Sequence, residues 1–298
     1  MTAINSFRDT GEPRSRAPRE MARLPGFIIV GAMKCGTTTL FRHLGKHPAI
    51  GLSQDKETDF FLAEQNFARG FEWYREQFRP GARLYGEASP NYSKCNEFPG
   101  VPERIRRHLP DVRLIYMVRD PVERFVSQYL HHMNSGEITV PPERILNTRV
   151  GRHYLDSSRY CRQLSAYLAH FPREQILVLC LDELRRDPAA IVRRTFEFLG
   201  VDPGVKVDGL EEAHNSGADL RRMPAWYFAA RRSTLLRGMK QRLPSGLQQA
   251  MTARIARGRQ RSLPKVDAEL RETLKAELAE DAAGFRALTG ASFSHWSI

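Results

Sequence analysis

Two glycines, one lysine and three threonines lie close together near the start of the chain and could bind an anion. Gly31 and Gly36 enclose Lys34, and three threonines follow directly at 37–39. A lysine supplies a full positive charge, and the N–H groups in the first turn of a helix have no partner within that helix. The helix dipole adds partial positive charge at the same end. The segment is therefore a candidate phosphate-binding loop.

The position of the lysine distinguishes between kinds of phosphate-binding loop. The nucleoside triphosphate loop places its lysine directly after the second glycine, followed by a hydroxyl that binds magnesium. Gly31 and Gly36 have the required spacing, but Thr37 stands at the lysine position and Lys34 lies inside the loop. The Gly-x-Gly-x-x-Gly pattern of dinucleotide-binding folds is also absent. A nucleotide kinase is the competing class of enzyme, and the misplaced lysine argues against it.

A second candidate anion site lies further along the chain. Arg119 and Ser127 are eight residues apart, and a helix beginning at Pro121 with Asp120 as its cap is expected between them. Ser127 would then lie about two turns into that helix. Both side chains can face the carboxyl edge of a parallel sheet, where open α/β sheets bind ligands. An arginine and a hydroxyl suit a terminal phosphate, although a plain capped turn would have the same residues.

These candidate residues require a framework of strands and helices. Short apolar runs predict buried strands at 27–30, 49–52, 84–87, 112–118 and 175–181. Helical patterns are found at 37–46, 67–78, 102–109, 121–133, 158–171 and 188–199, and then at 224–239, 246–257 and 266–288. Residues 134–150 are predicted to be a flexible excursion. The alternation predicts an α/β fold, a parallel sheet flanked by helices, with a mostly helical part after residue 205.

Composition limits the class of protein. A chain of 298 residues can form one α/β domain, predicted at 24–298. Residues 1–23 are polar and lack the apolar centre of a signal peptide, so we expect a disordered leader. No apolar run approaches the roughly 20 residues of a membrane span. The four cysteines have neither metal-binding nor disulfide-framework spacing, which predicts no metal and a reducing, cytoplasmic location.

The net charge of +12 is unevenly distributed along the chain. Residues 221–262 contain eleven lysines and arginines and no acidic residue. Such a block favours an anionic acceptor or peripheral contact with a membrane surface, or is a solvated helical face. Nucleic acid is not expected as a partner, because no recognised binding motif accompanies the charge.

Two segments in combination resemble a known family. GAMKCGTTTL and VRDPVERFVSQY resemble, in sequence and order, the 5′-phosphosulfate loop and the 3′-phosphate segment of sulfotransferases. These enzymes use 3′-phosphoadenosine 5′-phosphosulfate (PAPS). KETDFF and GEASPNY lie between the two segments, as in the branch that acts on glycans, including heparan sulfate sulfotransferases, and FEFLGVDP is also similar. The resemblance covers about residues 26–205 and implies a metal-free relative of the kinase fold.

The resemblance implies a role for each matching residue. The 5′-phosphosulfate would be held by Lys34, Cys35, Gly36, Thr37, Thr38 and Thr39, and the 3′-phosphate by Arg119 and Ser127. Glu57 matches the general base of the glycan enzymes, and Lys34 would stabilise the leaving oxygen. The implied donor is PAPS without a metal, and the implied acceptor is a carbohydrate hydroxyl. A small-molecule or lipid acceptor is the alternative.

The assignment of the base has competitors. Glu57 could simply be a surface carboxylate paired with its neighbour Lys56. Sulfotransferases that act on small phenols and steroids use a histidine, so the candidates also include His43, His47, His131 and His132. The first two are predicted to lie within the first helix and the following loop, which argues against them.

Two departures from the family pattern concern the acceptor and the closing loop. Several glycan enzymes carry a lysine where this chain has Ala88, so Lys56 or Lys94 would have to compensate, or the acceptor differs. The basic loop that closes over the nucleotide is best matched by 214–217 and the arginines at 221 and 222. A non-enzymatic polyanion-binding protein with a decayed site is disfavoured by the intact Lys34, Arg119 and Ser127.

Overall fold

The structure is a computed structural model that describes residues 23–210 and 265–298. Five parallel strands form one sheet in the order β2-β3-β1-β4-β5. In chain order, the strands are β1 (Phe27–Gly31), β2 (Ile50–Leu52), β3 (Leu84–Ala88), β4 (Arg113–Val118) and β5 (Ile176–Cys180). All five were predicted from their apolar runs, within one or two residues at each end.

Nine described helices surround the sheet. They are α1 (Thr37–Leu44), α2 (Gly70–Glu76), α3 (Val101–His108), α4 (Pro121–Ser135), α5 (Arg149–Asp156), α6 (Tyr160–Leu168), α7 (Leu181–Arg186), α8 (Pro188–Leu199) and α9 (Ala268–Thr289). Short 3₁₀ segments occupy Phe67–Arg69, Pro90–Ser93, Pro142–Asn147 and Arg173–Gln175. The predicted α/β fold, a parallel sheet flanked by helices with a helix at the C-terminus, is confirmed.

The central strand explains the position of the first loop. All five residues of β1 are buried, and β1 pairs with β3 on one side and β4 on the other. In register, Ile28 lies opposite Glu87 of β3 and Leu114 of β4. Because the strands are parallel, their carboxyl ends meet at one edge. The loops after β1, β3, β4 and β5 therefore all begin at this edge.

The prediction of a flexible excursion at 134–150 was wrong. The helix α4 ends at Gly136, which has the left-handed conformation, but a 3₁₀ segment and the start of α5 follow. Ile145 is fully buried, and the hydroxyl of Tyr129 donates to the carbonyl of Val140 at 2.9 Å. The Gly and Pro residues of this stretch suggested a loop, whereas burial of Ile145 against α4 orders it.

The last described helix joins two parts of the structure. On α9, Leu274 and Leu278 are fully buried in a cluster with Val122 and Phe125 of α4. Asp281 of α9 accepts hydrogen bonds from the backbone N–H groups of residues 161 and 162, at the start of α6. The helix thus fixes α4, which carries the second predicted anion site, against α6.

Several predictions lie outside the described residues. These are the leader, apart from Arg23, the helices at 224–239 and 246–257, the basic block at 221–262, and the proposed closing loop at 214–217 with its following arginines. The single-domain prediction for 24–298 stays a prediction. Within 23–210 and 265–298, no helix is long and apolar enough to span a membrane.

Candidate active site

The first loop has an unusual backbone. Lys34 and Gly36 both have left-handed φ angles, of 70° and 84°. Gly36 is the residue before α1, and a Cβ atom there would lie 2.6 Å from a methyl carbon of Leu181. A side chain at this position would therefore be strained and would also clash. The turn directs the first-turn N–H groups of α1 toward the sheet edge, as a phosphate-binding loop requires.

Two cationic side chains converge on this loop. The Nη1 of Arg119 donates to the backbone carbonyl of Lys34 at 3.5 Å. Burial, and next the charge of Arg119, hold the pKa of Lys34 below its ordinary value. The two positive charges repel each other, which disfavours the charged form of Lys34. An anion bound between them would offset this repulsion. The Lys34 and Arg119 pair, predicted from separate segments, is thus brought together by the parallel pairing of β1 and β4.

The start of α4 forms as predicted. The carboxylate of Asp120 accepts from the N–H groups of Val122 and Glu123 at 2.8 and 3.0 Å, so it caps the helix. Arg119 lies just before the cap, with its side chain 3.8 Å from the carboxylate of Glu123. Ser127 is half-buried on the second turn of α4. The structure gives no direct contact between Arg119 and Ser127, so their shared role in binding a phosphate stays a prediction.

A fully buried arginine, which the sequence analysis missed, supports both anion sites. Arg124 donates to the Ser158 hydroxyl, the Gln128 side chain and the Tyr154 carbonyl at 2.6 to 2.7 Å, and to the Met33 carbonyl at 3.5 Å. A buried arginine is tolerated only when its N–H groups are paired. Its bonds join the phosphate loop to α4 and α5. The spacing of Arg124 and Gln128, four apart on one helix, was the available signal.

Glu57 lies on the loop after β2, close to the end of β3. The backbone carbonyl of the preceding Lys56 accepts from the N–H of Ala88 at 3.1 Å, which ties the loop to the sheet edge. The ammonium of Lys56 is 2.7 Å from the carboxylate of Glu57, whose side chain is 50% exposed. The surface pair considered in the sequence analysis is therefore present. An exposed carboxylate beside a cation can still accept a proton from an approaching hydroxyl.

A buried carboxylate holds the residue next to Glu57. Glu87 is fully buried at the end of β3 and accepts hydrogen bonds from four hydroxyls. The donors are Thr58 at 2.5 Å, Tyr74 at 2.5 Å, Ser89 at 2.7 Å and Tyr92 at 3.0 Å. Burial raises the pKa of Glu87, and the four donors oppose that shift. The sequence analysis placed Glu87 at a strand end and in the GEASPNY segment, but gave it no role of its own.

A second carboxylate, also missed, lies beside Glu57. Asp59 has a left-handed φ of 46°, and its Oδ2 accepts from the side chain of Asn91 at 3.0 Å. Its Oδ1 is buried and finds no hydrogen-bond partner among the described residues. Burial raises the pKa of Asp59, and the charge of Glu57 adds to the shift. Asp59 is therefore a competing acid or base that the sequence analysis did not consider.

Lys94 is one of the two lysines expected to compensate for Ala88. Its side chain is only 11% exposed, and burial lowers its pKa. Glu97 is its ion-pair partner at 3.6 Å. The charge of Lys94 also contributes to the pKa shifts of Asp59 and His132, so its ammonium lies near both side chains.

The four candidate histidines separate into two groups. His47 accepts from the N–H of Ala49 at one ring nitrogen and contacts the carbonyl of Asp202 at the other, both at 3.1 Å, so its role is structural. His43 is fully buried on α1. Burial, followed by the charge of Lys34, lowers the pKa of His131 to about 4. His131 is therefore neutral at physiological pH and near the loop.

His132 is engaged by neighbouring side chains. A ring nitrogen of His132 contacts the hydroxyl of Tyr154, and the other lies 3.8 Å from the carboxylate of Glu137. Burial is the largest cause of its lowered pKa. The charge of Lys34 contributes to the lowered pKa values of both His131 and His132, so both rings lie near the loop.

Cys35 is a loop residue whose side chain faces away from the sheet edge. Its thiol is fully buried, 3.5 Å from the hydroxyl of Tyr160, and its backbone N–H donates to the carbonyl of Ala32. The side chain of Cys35 is thus enclosed by the fold, and its predicted role in holding the 5′-phosphosulfate stays a prediction. All four cysteines are free thiols.

A cavity of about 530 Å³ lies at the carboxyl ends of β4 and β5. It is lined by Arg119, Asp120, Glu123, Asp182, Glu183, Arg185, Arg186 and His295. The cavity shares Arg119 with the candidate anion site, so a ligand held by this arginine can extend into it.

The match to a known family agrees with this geometry. The family model of the sulfotransferase domain matches residues 24–216. The chain belongs to the sulfotransferase family. Its domain is that of an enzyme, and the family and enzyme class expected from the sequence are confirmed.

Solved and curated sulfotransferases extend the comparison. Heparan sulfate glucosamine 3-O-sulfotransferase 5 of Mus musculus is 30% identical over 197 residues, which cover 61% of this chain and 55% of that protein. The bifunctional heparan sulfate N-deacetylase/N-sulfotransferase 3 of Homo sapiens is 28% identical over 201 residues, covering 61% of this chain and 23% of that one. The chain thus spans about half the length of the first relative.

The fold is also that of a solved sulfotransferase. The crystal structure of a sulfotransferase from Alicyclobacillus acidocaldarius superposes with a TM-score of 0.67 at 26% identity. The match covers 92% of this chain and 99% of the other.

Proposed function

We propose that this sulfotransferase moves a sulfuryl group from PAPS to an acceptor hydroxyl, in a single in-line displacement. The observation that carries the proposal is the approach of Arg119 to the Lys34 carbonyl at the end of the central strand. Two partly buried cations at a glycine turn and a helix N-terminus suit a ligand with several negative charges. The raised free energy of charged Lys34 beside Arg119 favours such a ligand further.

The donor would be divided between two segments. Lys34, the turn at Gly36 and the threonines of α1 would hold the 5′-phosphosulfate, and Arg119 with Ser127 would hold the 3′-phosphate. The cavity beside Arg119 offers space for the remainder of a nucleotide. A kinase is disfavoured because Thr37 stands where its lysine belongs.

The transfer would need a proton acceptor and a cation at the leaving oxygen. As the acceptor oxygen forms its bond to sulfur, the bond between sulfur and the phosphate oxygen breaks. Glu57 would take the hydroxyl proton, and Lys34 would stabilise the negative charge on the departing phosphate oxygen. Asp59 and Lys94 would set the charge of the crevice around Glu57.

A carbohydrate or glycoconjugate is the proposed acceptor. Support comes from the heparan sulfate enzymes among the relatives, at about 30% identity. The alanine at Ala88 sets this chain apart from the glycan pattern, and Lys56 or the largely buried Lys94 would compensate for it. A small-molecule or lipid acceptor is the alternative within the same reaction class.

A transfer assay tests the proposal. The purified protein would be given PAPS with labelled sulfur and, separately, a desulfated glycosaminoglycan, a simple phenol and a glycolipid. We expect labelled polysaccharide, with the label lost in Lys34→Ala and retained in Lys206→Ala, which changes an exposed lysine that is not part of the loop. Label in the phenol or glycolipid alone would overturn the carbohydrate assignment, and label in none of the acceptors would contradict the reaction.

A further inference from the structure

Three side chains with metal-binding atoms meet at the end of β5. Cys180 is the last residue of β5, Asp182 is in the first turn of α7, and His295 lies near the C-terminus. The Nε2 of His295 is 3.3 Å from the Sγ of Cys180 and 3.4 Å from the Oδ2 of Asp182. The Sγ and Oδ2 are 3.9 Å apart. The three atoms form a small triangle, in which His295 meets two residues that lie more than 110 positions before it in the sequence.

The triangle has the dimensions of a metal-ligand set. A tetrahedral zinc ion with bonds of about 2.3 Å to sulfur and about 2.0 Å to nitrogen and oxygen keeps its ligand atoms roughly 3.3–3.6 Å apart. Two of the three observed distances lie at the short end of that range, and the third is slightly longer. Cysteine, histidine and aspartate are all common zinc ligands.

Hydrogen bonding alone accounts less well for the arrangement. The 3.9 Å between Cys180 Sγ and Asp182 Oδ2 is long for a hydrogen bond from a thiol. The single proton on Nε2 of a neutral histidine cannot be directed at two acceptors with good geometry. A cation at the centre would satisfy all three atoms together.

The surroundings are also those of a metal site. Cys180 is buried, whereas the side chains of Asp182 and His295 are 40% and 41% exposed and line the cavity. A fourth position is therefore open to water on the cavity side. The other carboxylate oxygen of Asp182 lies 3.5 Å from Arg185, which orients the carboxylate as outer partners of metal ligands do.

The segment that carries His295 is held firmly enough to present a ligand. The ring of Trp296 stacks on Phe293 with centroids 4.3 Å apart, and on Phe285 of α9 at 5.9 Å. The backbone N–H of Ser297 donates to the carboxylate of Asp120, the residue that caps α4. His295 thus lies between Phe293 and Trp296, whose rings are both packed in place.

We propose that Cys180, Asp182 and His295 bind one zinc ion, which clips the C-terminal segment to the carboxyl edge of β5. On binding, the thiol of Cys180 releases its proton to solvent and the sulfur forms a bond to the metal. The ion takes no part in sulfuryl transfer, because it lies on the β5 side of the cavity and the reacting groups are proposed at the loop after β1. The ion would instead hold in place one wall of the cavity that Arg119 also lines.

The test uses cobalt as a spectroscopic substitute for zinc. The full chain would be stripped with a chelator and titrated with Co²⁺. We expect one equivalent to give a thiolate-to-cobalt band in the near ultraviolet, which zinc then removes. Cys180→Ser and His295→Gln should lose the band, and Cys161→Ser and His170→Gln should retain it, since those residues lie outside the cluster.

A competition titration supplies the affinity. Loss of a direct ligand in His295→Gln should weaken zinc binding by at least the roughly 10–100-fold that loss of an outer partner causes. His295 and Asp182 are partly exposed, so His295→Gln and Asp182→Asn should fold even if Cys180→Ser does not. A wild-type chain without the cobalt band, or a band unchanged in His295→Gln, would overturn the site. The outcome is independent of whether sulfuryl transfer is observed.

Discussion

The hydroxyl of Thr58 donates to the buried carboxylate of Glu87, across the gap between the loop after β2 and the end of β3. Thr58 directly follows Glu57, the proposed base, in the chain. The bond therefore fixes the backbone beside Glu57 although Glu57 itself is exposed. If Glu57 is the base, Glu87 would act on the reaction through Thr58, as a positioning residue.

Replacing Glu87 should weaken the fold and slow turnover together. Glu87→Gln keeps the shape of the side chain but presents an amide to hydroxyls that donate to the carboxylate. Loss of a hydrogen bond to a charged group costs about 1.5–3 kcal/mol, so the free energy of unfolding should fall by about that amount. Urea unfolding measures it, with the exposed Glu76→Gln as the control.

The same variant separates positioning from mere stability. We expect Glu87→Gln to lower kcat at a temperature where it is fully folded, and to leave the KM for PAPS unchanged. Equal kcat values for the folded variant and the wild type would make Glu87 a purely structural residue.

Two carboxylates compete for the role of the base, and paired variants discriminate between them. If Glu57 is the base, the Glu57→Gln variant should have a kcat roughly 100- to 10,000-fold lower than that of the wild type, with unchanged affinity for the nucleotide. Asp59→Asn should lower kcat less, because one carboxylate oxygen of Asp59 already accepts a hydrogen bond from Asn91. Glu64→Gln, at an exposed site, is the control. Should Asp59→Asn prove the more damaging variant, the base is Asp59.

The lowered pKa of Lys34 predicts the pH dependence of nucleotide binding. The ordinary value is 10.5, and burial with the nearby Arg119 moves it down. An anion binds the protonated lysine, so affinity should be constant below the lowered pKa and fall as pH rises through it. The fall should begin at a lower pH than an ordinary lysine would give. Lys34→Arg should flatten the curve, since arginine does not titrate in this range.

The turn at Gly36 should not tolerate a side chain. Alanine in the left-handed conformation costs about 1–2 kcal/mol, and here it would also press on Leu181. Gly290 is the matched control, because it has the same left-handed conformation, with φ 69° and ψ 10°, and a Cβ atom there has nothing within 4 Å. We expect Gly36→Ala to lower the free energy of unfolding more than Gly290→Ala. Only Gly36→Ala should also weaken binding of the nucleotide.

The fold was predictable because its signals are local. Apolar runs mark the strands, and Asp120 with Pro121 marks the start of α4, so the sheet and most helices follow from periodicity and caps. Gly136 and the prolines at 141 and 142 led to the wrong prediction of a flexible excursion at 134–150. No local feature of the sequence indicates that Ile145 is buried. Tertiary contact ordered a segment whose composition is typical of a loop.

The candidate site was predictable in part. Lys34 and Arg119 could be assigned because each belongs to its own motif. Arg124 and Glu87 could not. Apart from Gln128, which is four residues after Arg124 on the same helix, most of their partners come from other elements that no sequence spacing connects to them. The same holds for His295, whose neighbours Cys180 and Asp182 are more than 110 residues away. The cytoplasmic location and the roles of all the proposed site residues stay predictions; these are Lys34, Cys35, Gly36, Thr37, Thr38, Thr39, Glu57, Arg119 and Ser127.

The central claim, that the crevice at Lys34 and Arg119 is built for PAPS, is tested most directly by calorimetric titration. The wild-type protein would be titrated with 3′-phosphoadenosine 5′-phosphate and, separately, with ATP and magnesium. Lys34→Ala and Lys206→Ala would be titrated in the same way. The account predicts preference for the bisphosphate, and about ten- to a hundredfold weaker binding in Lys34→Ala alone, since each variant removes one charge and only Lys34 is at the loop. ATP binding as tight as that of the bisphosphate, or unchanged affinity in Lys34→Ala, would contradict it.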